Sequence, residues 1–435
     1  MASTTPVNAS PSRPARILIV DDSAVMRALL RSVVSSDQRI EVAGTAADGE
    51  SALRALDSLH PDLILLDVEM PVMDGLSTLK RIKASGKRVP VIMCSTLTQR
   101  GAKVTIEALS NGAADYVAKP YGQPSREAAV RTLTLDLVPK ILALTAYATA
   151  LRSFGTPHAP APAVPGPGTP RSVWPGQVSQ HSVARPAISL VTGAAHGSPS
   201  SHILPPALHP GAGTLPAVPP PGLASTSTLP PSILAIGVST GGPAALEDLL
   251  PALPANFPLP VLIVQHMPAL FTKLLAERLD GRCPLRVSEA VAGEPVRAGN
   301  IYIARGDWHM EVSTPDRNPA SPVLRLTQEA PENHCRPAVD VLFRSCVQVY
   351  GSRILAVVLT GMGYDGLLGS RIIREHGGTV LAQDEPTSVV WGMPGAVAQA
   401  GLAHRVLPLN AIASEILRLT GRGQREAIEL RESAV

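Results

Sequence analysis

Two groups of residues in this sequence have the types and spacing to do chemistry. The first is acidic. Asp21 and Asp22 close the apolar run RILIVDD, and Asp67 closes DLILLD. Ser95 ends VPVIMCS, and Lys119 stands near the end of DYVAKP. Three carboxylates drawn into one crevice repel one another unless a cation lies between them. Hard oxygen ligands suit Mg²⁺, which keeps several waters and accepts phosphate oxygens. A carboxylate beside such an ion can attack a phosphoryl donor, with the Ser95 hydroxyl and the Lys119 ammonium gripping the phosphoryl oxygens. One strand-end Asp alone is more often a cap or turn residue. Five suitable groups at strand ends point to a site.

The second group begins with Gly237-Val238-Ser239-Thr240-Gly241, which fits G-x-S-x-G, the sharp strand-to-helix turn that exposes a nucleophilic hydroxyl. Pro243 follows, and proline is favoured in a first helical turn. A helix cap or a phosphate cradle would use similar residues, but no Gly-Lys-Ser/Thr follows to make a full P-loop. A nucleophilic serine needs a base, and the base needs an orienting acid. His266 ends the strand-like run VLIVQH, on the edge expected for Ser239. A lone strand-end His is usually structural; the shared edge favours a catalytic reading. His309, in an apparent hairpin, and His334, in a polar loop, rank behind it. Asp365 in TGMGYDG is preferred as the acid, because that turn also offers backbone N–H groups to an oxyanion. Asp340, on a helix-spaced stretch, and Asp384, after TVLAQ, are the alternatives. The order Ser…His…Asp differs from the familiar serine hydrolases.

The elements that must position these residues alternate regularly. Residues 15–148 read as five strand–helix repeats, which predicts a doubly wound, flavodoxin-like parallel sheet with its functional crevice beyond the carboxyl ends of the strands. The last helix is expected over Arg126–Thr145. Residues 232–425 read as a second, larger α/β domain. Between them, residues 149–231 are built from Ala, Pro, Gly, Ser and His. About eighteen of the 43 prolines lie there, and no acidic residue occurs between Asp136 and Glu247. This is the composition of a disordered Pro/Ala-rich linker. Residues 1–14 read as a disordered leader and 426–435 as a tail.

Composition narrows the function classes. Of 435 residues, 45% are hydrophobic, enough to fill real cores. The net charge of +3 comes from scattered Lys and Arg, without the basic clustering of a nucleic-acid groove. No apolar run reaches the ~18 residues of a membrane span, and the N-terminus lacks the apolar core of a signal peptide. Cys94, Cys283, Cys335 and Cys346 show no metal-ligand spacing and are too few for a disulfide framework, which favours a reducing compartment. The expectation is a cytoplasmic protein.

The first module resembles the receiver domain of two-component response regulators, on Asp21–Asp22, Asp67 followed by MPVMDG, Ser95 and Lys119–Pro120. The resemblance implies that Asp67 is the phospho-acceptor and that a histidine kinase is the donor. It also implies that Asp22, Asp67 and the Glu69 carbonyl hold Mg²⁺, and that the Lys119–Pro120 bond is cis. With GVSTGGP, QHMP, RPAVDVLF, LTGMGYDG and QDEPTSVVWGMP in this order, the second module resembles the catalytic domain of chemotaxis protein-glutamate methylesterases. That implies a Ser239–His266–Asp365 triad, the Met362 N–H as oxyanion donor and Thr240 helping to position the histidine. It implies hydrolysis of glutamate γ-methyl esters on the cytoplasmic helices of chemoreceptors, with deamidation of glutamines as the same chemistry, and no cofactor for that step. A receiver with a merely binding output lacks a use for the Ser-His-Asp set. A DNA-binding output calls for a compact basic helix-turn-helix module. The departure from the family is the length of the linker.

Overall fold

The computed structural model describes residues 13–120, 123, 125–153, 229–315 and 321–421. The leader, most of the linker and the tail expected from composition lie outside these residues.

In the first module, β1 (Ala15–Val20), α1 (Ala24–Val34), β2 (Ile40–Ala46), α2 (Gly49–Leu59) and β3 (Leu63–Asp67) come first. They are followed by α3 (Gly75–Ala84), β4 (Val91–Ser95), α4 (Gln99–Ser110), β5 (Asp115–Ala118) and α5 (Arg126–Ser153). The five strands form one parallel sheet in the order β2-β1-β3-β4-β5. Strands buried on both faces read as unbroken apolar runs, as in LILL of β3 and VIMC of β4. The helix starts are set by side-chain caps: Ser23, Asp48, Asp74 and Thr98 each accept an N–H from the first turn. The order reverses between β1 and β3, so Asp21, Asp22 and Asp67 flank the switch point.

Helix α5 runs to Ser153, eight residues beyond the expected Thr145, carried by the good helix formers of ALTAYATAL. It tolerates Pro139 in its interior.

The second module opens with β6 (Ile233–Val238), α6 (Gly242–Leu249), β7 (Val261–Gln265), α7 (Ala269–Asp280), β8 (Arg286–Glu289) and β9 (Asn300–Ile303). A hairpin of β10 (His309–Ser313) and β11 (Val323–Thr327) leads to α8 (Val339–Tyr350) and β12 (Ile354–Val358). The chain closes with α9 (Leu367–Glu375), β13 (Thr379–Gln383), α10 (Met393–Gln399), β14 (Arg405–Leu407) and α11 (Leu409–Leu419). Seven parallel strands form the sheet β14-β13-β12-β6-β7-β9-β8, whose switch point lies between β6 and β12.

The two modules belong to one compact unit. Tyr116 of β5 stacks on Phe271 of α7 with ring centroids 4.5 Å apart. Ser110 of α4 donates to Glu247 of α6, which also pairs with Arg278 and Arg282. The apolar side chains around this seam form one buried cluster drawn from both sheets. No helix among the described residues is long and apolar enough to cross a membrane.

Phe343 anchors α8 in the second core and is fully buried. Phe343→Ala should therefore cost about 3–5 kcal/mol, read as a lower urea midpoint. A loss below about 1 kcal/mol would mean that the core around α8 can close over the gap.

Candidate active site

β6 delivers Ser239 to the switch point. The turn is tight: Gly241 has φ +79°, and the Cα of Gly361 lies so close that a Cβ there would come within 2.8 Å of Ser239 Cβ. The Ser239 N–H donates to the Thr360 carbonyl at 3.0 Å, pinning the turn to the end of β12. Met362 follows Gly361, and its N–H makes no hydrogen bond among the described residues, which leaves it available beside the serine.

His266 lies just beyond β7, its N–H bonded to the Val238 carbonyl at 3.2 Å. Its Nε2 is 2.8 Å from Asp365 Oδ2. Asp365, in the turn after β12, is 2% exposed, so its charge must be met by donors. Val339 N–H (2.6 Å) and Asp340 N–H (3.0 Å), at the start of α8, supply two, at the positive end of the helix. Gly366 N–H and Asn333 Nδ2 supply two more, at 3.0 and 2.9 Å. Burial alone would raise the Asp365 pKa, but His266 and these N–H groups hold it below the usual carboxylate range. Burial likewise disfavours the His266 imidazolium, yet the bond to Asp365 and the neighbouring Cys335 raise its pKa above the ordinary histidine range. With Nε2–H given to the carboxylate, Nδ1 is the free nitrogen, and Cys335 Sγ lies 3.6 Å from it.

The alternatives to these residues have other work. His309 is buried, accepting from Ala338 N–H at Nδ1 and facing the Ala330 carbonyl at Nε2. Asp384 Oδ1 accepts from Thr387 in a turn. Asp340 is fully buried beside Asp365, bridged to it by Asn333 Nδ2 at 2.9 Å, and accepts from Gly369 N–H. Burial, with the nearby Asp365 charge, pushes its pKa up to about 6. His334 is exposed in the loop beside the cavity.

One expectation needs correction. Thr240 does not touch the histidine; its hydroxyl donates to Asp115 of β5 at 2.5 Å. The elbow turns that side chain away from β7 and towards the first module. Gln265 takes the linking role instead, its Nε2 donating to the Ser239 carbonyl at 3.0 Å. The contributions of Gln265, Asn333 and Cys335 carried no periodic or motif signal beyond their closeness in sequence to His266 and Asp340.

Ser239, His266 and Met362 open onto a cavity of about 910 Å³ whose far wall is formed by α4, β5 and α5 of the first module. Lys140 of α5 braces that wall, with Nζ 2.9 Å from Asp136 and donating to the Tyr116 carbonyl at 2.7 Å.

At the other switch point, carboxylate oxygens of Asp21, Asp22 and Asp67 lie within 4.8 Å of one another. Lys119 Nζ sits 2.7 Å from both Asp21 and Asp67. The Lys119–Pro120 bond is not cis; the cis peptide among the described residues is Arg336–Pro337, and Lys119 reaches the acidic pair without one. Burial raises the Asp67 pKa to about 6 against the opposing pull of Lys119. Ser95 is buried and faces away from the carboxylates, accepting from Thr105 Oγ1 at 2.7 Å and donating to the Thr96 carbonyl. The Glu69 side chain pairs with Arg100, and its carbonyl accepts no backbone hydrogen bond among the described residues. An all-oxygen donor set of this kind fits Mg²⁺.

The geometry is that of a receiver domain docked on an α/β domain with hydrolase-type groups at its switch point. A profile of the response regulator receiver domain matches residues 17–131, and one of the CheB methylesterase family matches residues 234–416. The chain is 45% identical, over 94% of its length and 96% of the relative's, to a protein-glutamate methylesterase/protein-glutamine glutaminase of a Nocardioides species. It is 43% identical, over 93% and 99%, to one of the same name from Trichodesmium erythraeum. The crystal structure of the Thermotoga maritima CheB methylesterase catalytic domain is 43% identical over 44% of this chain and all of that one, at a TM-score of 0.42. The chain belongs to the receiver-linked CheB methylesterase family.

The raised His266 pKa depends on a negative Asp365. In Asp365→Asn protein the His266 titration, followed by ring NMR signals, should move down towards or below the ordinary ~6.5. In the unmutated protein the stability contributed by a raised histidine is fully present below that unfolded value and lost as pH rises through the folded one. An unchanged titration in the variant would assign the shift to another group.

Proposed function

We propose that this protein hydrolyses glutamate γ-methyl esters on chemoreceptor helices, and deamidates receptor glutamines by the same acyl chemistry, under control of a phosphoryl group on Asp67. The observation that carries the reading is the meeting of Ser239, the His266–Asp365 pair and the Met362 N–H on one cavity, walled by the receiver.

In the proposed reaction Ser239 Oγ attacks the ester carbonyl and its proton passes to His266 Nδ1, the nitrogen left free by the Nε2–Asp365 bond. That is the reverse of the usual assignment of the two ring nitrogens in serine proteases. To reach Ser239, Nδ1 must give up its contact with the Cys335 thiol. The Met362 N–H stabilises the tetrahedral oxyanion. Collapse returns the proton to the leaving methoxide, releasing methanol, or to the leaving amine, releasing ammonia. Water then repeats the steps on the acyl-serine and frees glutamate.

In the receiver, Asp22, Asp67 and the Glu69 carbonyl would hold Mg²⁺, which neutralises the charge of the incoming phosphoryl group when bound. Asp67 is the acceptor, and a histidine kinase of a two-component pathway is its physiological donor. Lys119, already between Asp21 and Asp67, is positioned to pair with a phosphoryl oxygen. Ser95 would have to turn from Thr105 to do so. Control follows from the seam: Asp115 holds Thr240, and the Ala114 carbonyl accepts from Gly241 N–H at 3.1 Å, both on the nucleophile's turn. A phosphoryl-driven shift of the receiver surface would release that grip.

Ser239→Ala should lower methanol release from methylated receptor by at least ~10³-fold with the fold intact; substantial residual rate would remove the serine from the mechanism. Asp67→Asn should keep the basal rate but lose all stimulation by acetyl phosphate and Mg²⁺. Stimulation that survives in this variant would move the acceptor elsewhere.

Asp115→Ala breaks the bond to Thr240 without touching Ser239. It should raise the unphosphorylated receptor rate severalfold, by the ~1 kcal/mol or more that such a hydrogen bond contributes. An unchanged rate would mean that the apolar seam alone sets docking.

A further inference from the structure

The receiver covers the active site without disabling it. Its polar contacts with the elbow go to Thr240 and Gly241, on the far side of the turn from the reacting hydroxyl. No side chain of the receiver hydrogen-bonds Ser239 among the described residues. The His266–Asp365 bond is formed at 2.8 Å in this docked arrangement, and Ser239 and His266 both remain partly exposed to the cavity. What docking removes is room. The space left, about 910 Å³, lies within the 300–1,000 Å³ range of pockets that hold small molecules. Its rim carries Leu135 of α5 at 80% exposure and Tyr364 at 52%. A helix of 10–12 Å diameter offering an ester from its flank would have to lay its backbone across that rim, where α5 already stands.

The lining favours neutral substrates. Around the serine it is apolar, with Met362 and Pro243 on one side and Leu109 and Tyr116 on the other. The cations of the lining that lie nearest are already paired, Lys140 with Asp136 and Arg336 with Asp307.

We infer that the docked receiver is a size filter, so that the unphosphorylated protein is a working hydrolase for small, neutral carboxylic esters. Phosphorylation then widens the substrate range to helical protein rather than switching on the chemistry. The helical half of this statement rests on the reading given under Proposed function; the small-ester half rests on the cavity alone. The reaction is the same ester hydrolysis: water is consumed, and the acid and the alcohol are released.

The test uses the full chain with and without acetyl phosphate and Mg²⁺, and two substrates. One is N-acetylglutamate α-amide γ-methyl ester, the other a methyl-esterified helical receptor fragment. Phosphorylation should raise kcat/KM for the fragment about tenfold or more, an ordinary size for coupling between two sites, and change the small ester less than about twofold. Equal activation of both would overturn the filter. A small alkyl phosphonofluoridate gives a reading that does not depend on ester turnover. Ser239 Oγ displaces fluoride from phosphorus, and the hydroxyl proton goes to His266. Labelling at the same rate in both states supports the open cavity, and labelling only after phosphorylation overturns it. If the fragment stays intact in both states while the small ester is cleaved equally in both, the receptor reading fails and the open cavity stands. Ser239→Ala should abolish cleavage and labelling alike; activity that survives would place the small-ester reaction outside this cavity and overturn the inference.

Discussion

The buried carboxylate of Asp365 is the constraint on which the rest of the catalytic module depends. A charge at 2% exposure is tolerable only with donors on every side, and the fold supplies five. They come from three separate pieces of chain: the first turn of α8, the loop at Asn333 and the residue after β7. Meeting that one requirement therefore fixes α8 against the end of β12 and aims His266 into the cavity. The fifth donor is Gly366, the residue next to Asp365, which shapes the turn itself.

Both sites in the protein exploit the same property of parallel sheets. Where strand order reverses, two neighbouring loops part and leave a crevice at the carboxyl ends of the strands. In the receiver the crevice gathers three carboxylates and one lysine. In the second module it gathers a serine, a histidine and an aspartate. The difference is electrostatic. The receiver's charges await a cation and a phosphoryl group, whereas those of the second module are already balanced within the chain. This is consistent with a receiver that must respond to its ligands and a hydrolase whose base and acid are paired before substrate arrives.

The seam between the modules is built for reversible contact. It combines an aromatic stack, a few hydrogen bonds and the paired charges around Glu247. Polar groups that retain partners or solvent on separation make such a surface less costly to open than a core. The receiver touches the nucleophile's turn through β5, whose Ala118 end adjoins Lys119 at the acidic site. One short strand thus spans the distance between the acidic pocket and the esterase cavity.

Much of this was legible in the sequence. Apolar runs ending in Asp67, His266 or the G-x-S-x-G turn fixed which residues stand at strand ends, because strand length and burial are written locally in residue type. The two modules and the residues that meet at each crevice followed from that pattern. The partners of those residues did not. Thr240 could point to the histidine or away from it, and only packing of the receiver against the elbow turned it to Asp115. Cys335 and Asn333 come from a loop without periodicity, and their closeness to His266 and Asp365 arises from long-range folding of that loop over the sheet. Ser95 and Lys119 are both strand-end groups, yet only the lysine faces the acidic pair, since Thr105 on α4 claims the hydroxyl. Local chemistry named the groups; the contacts between distant segments decided what each one touches.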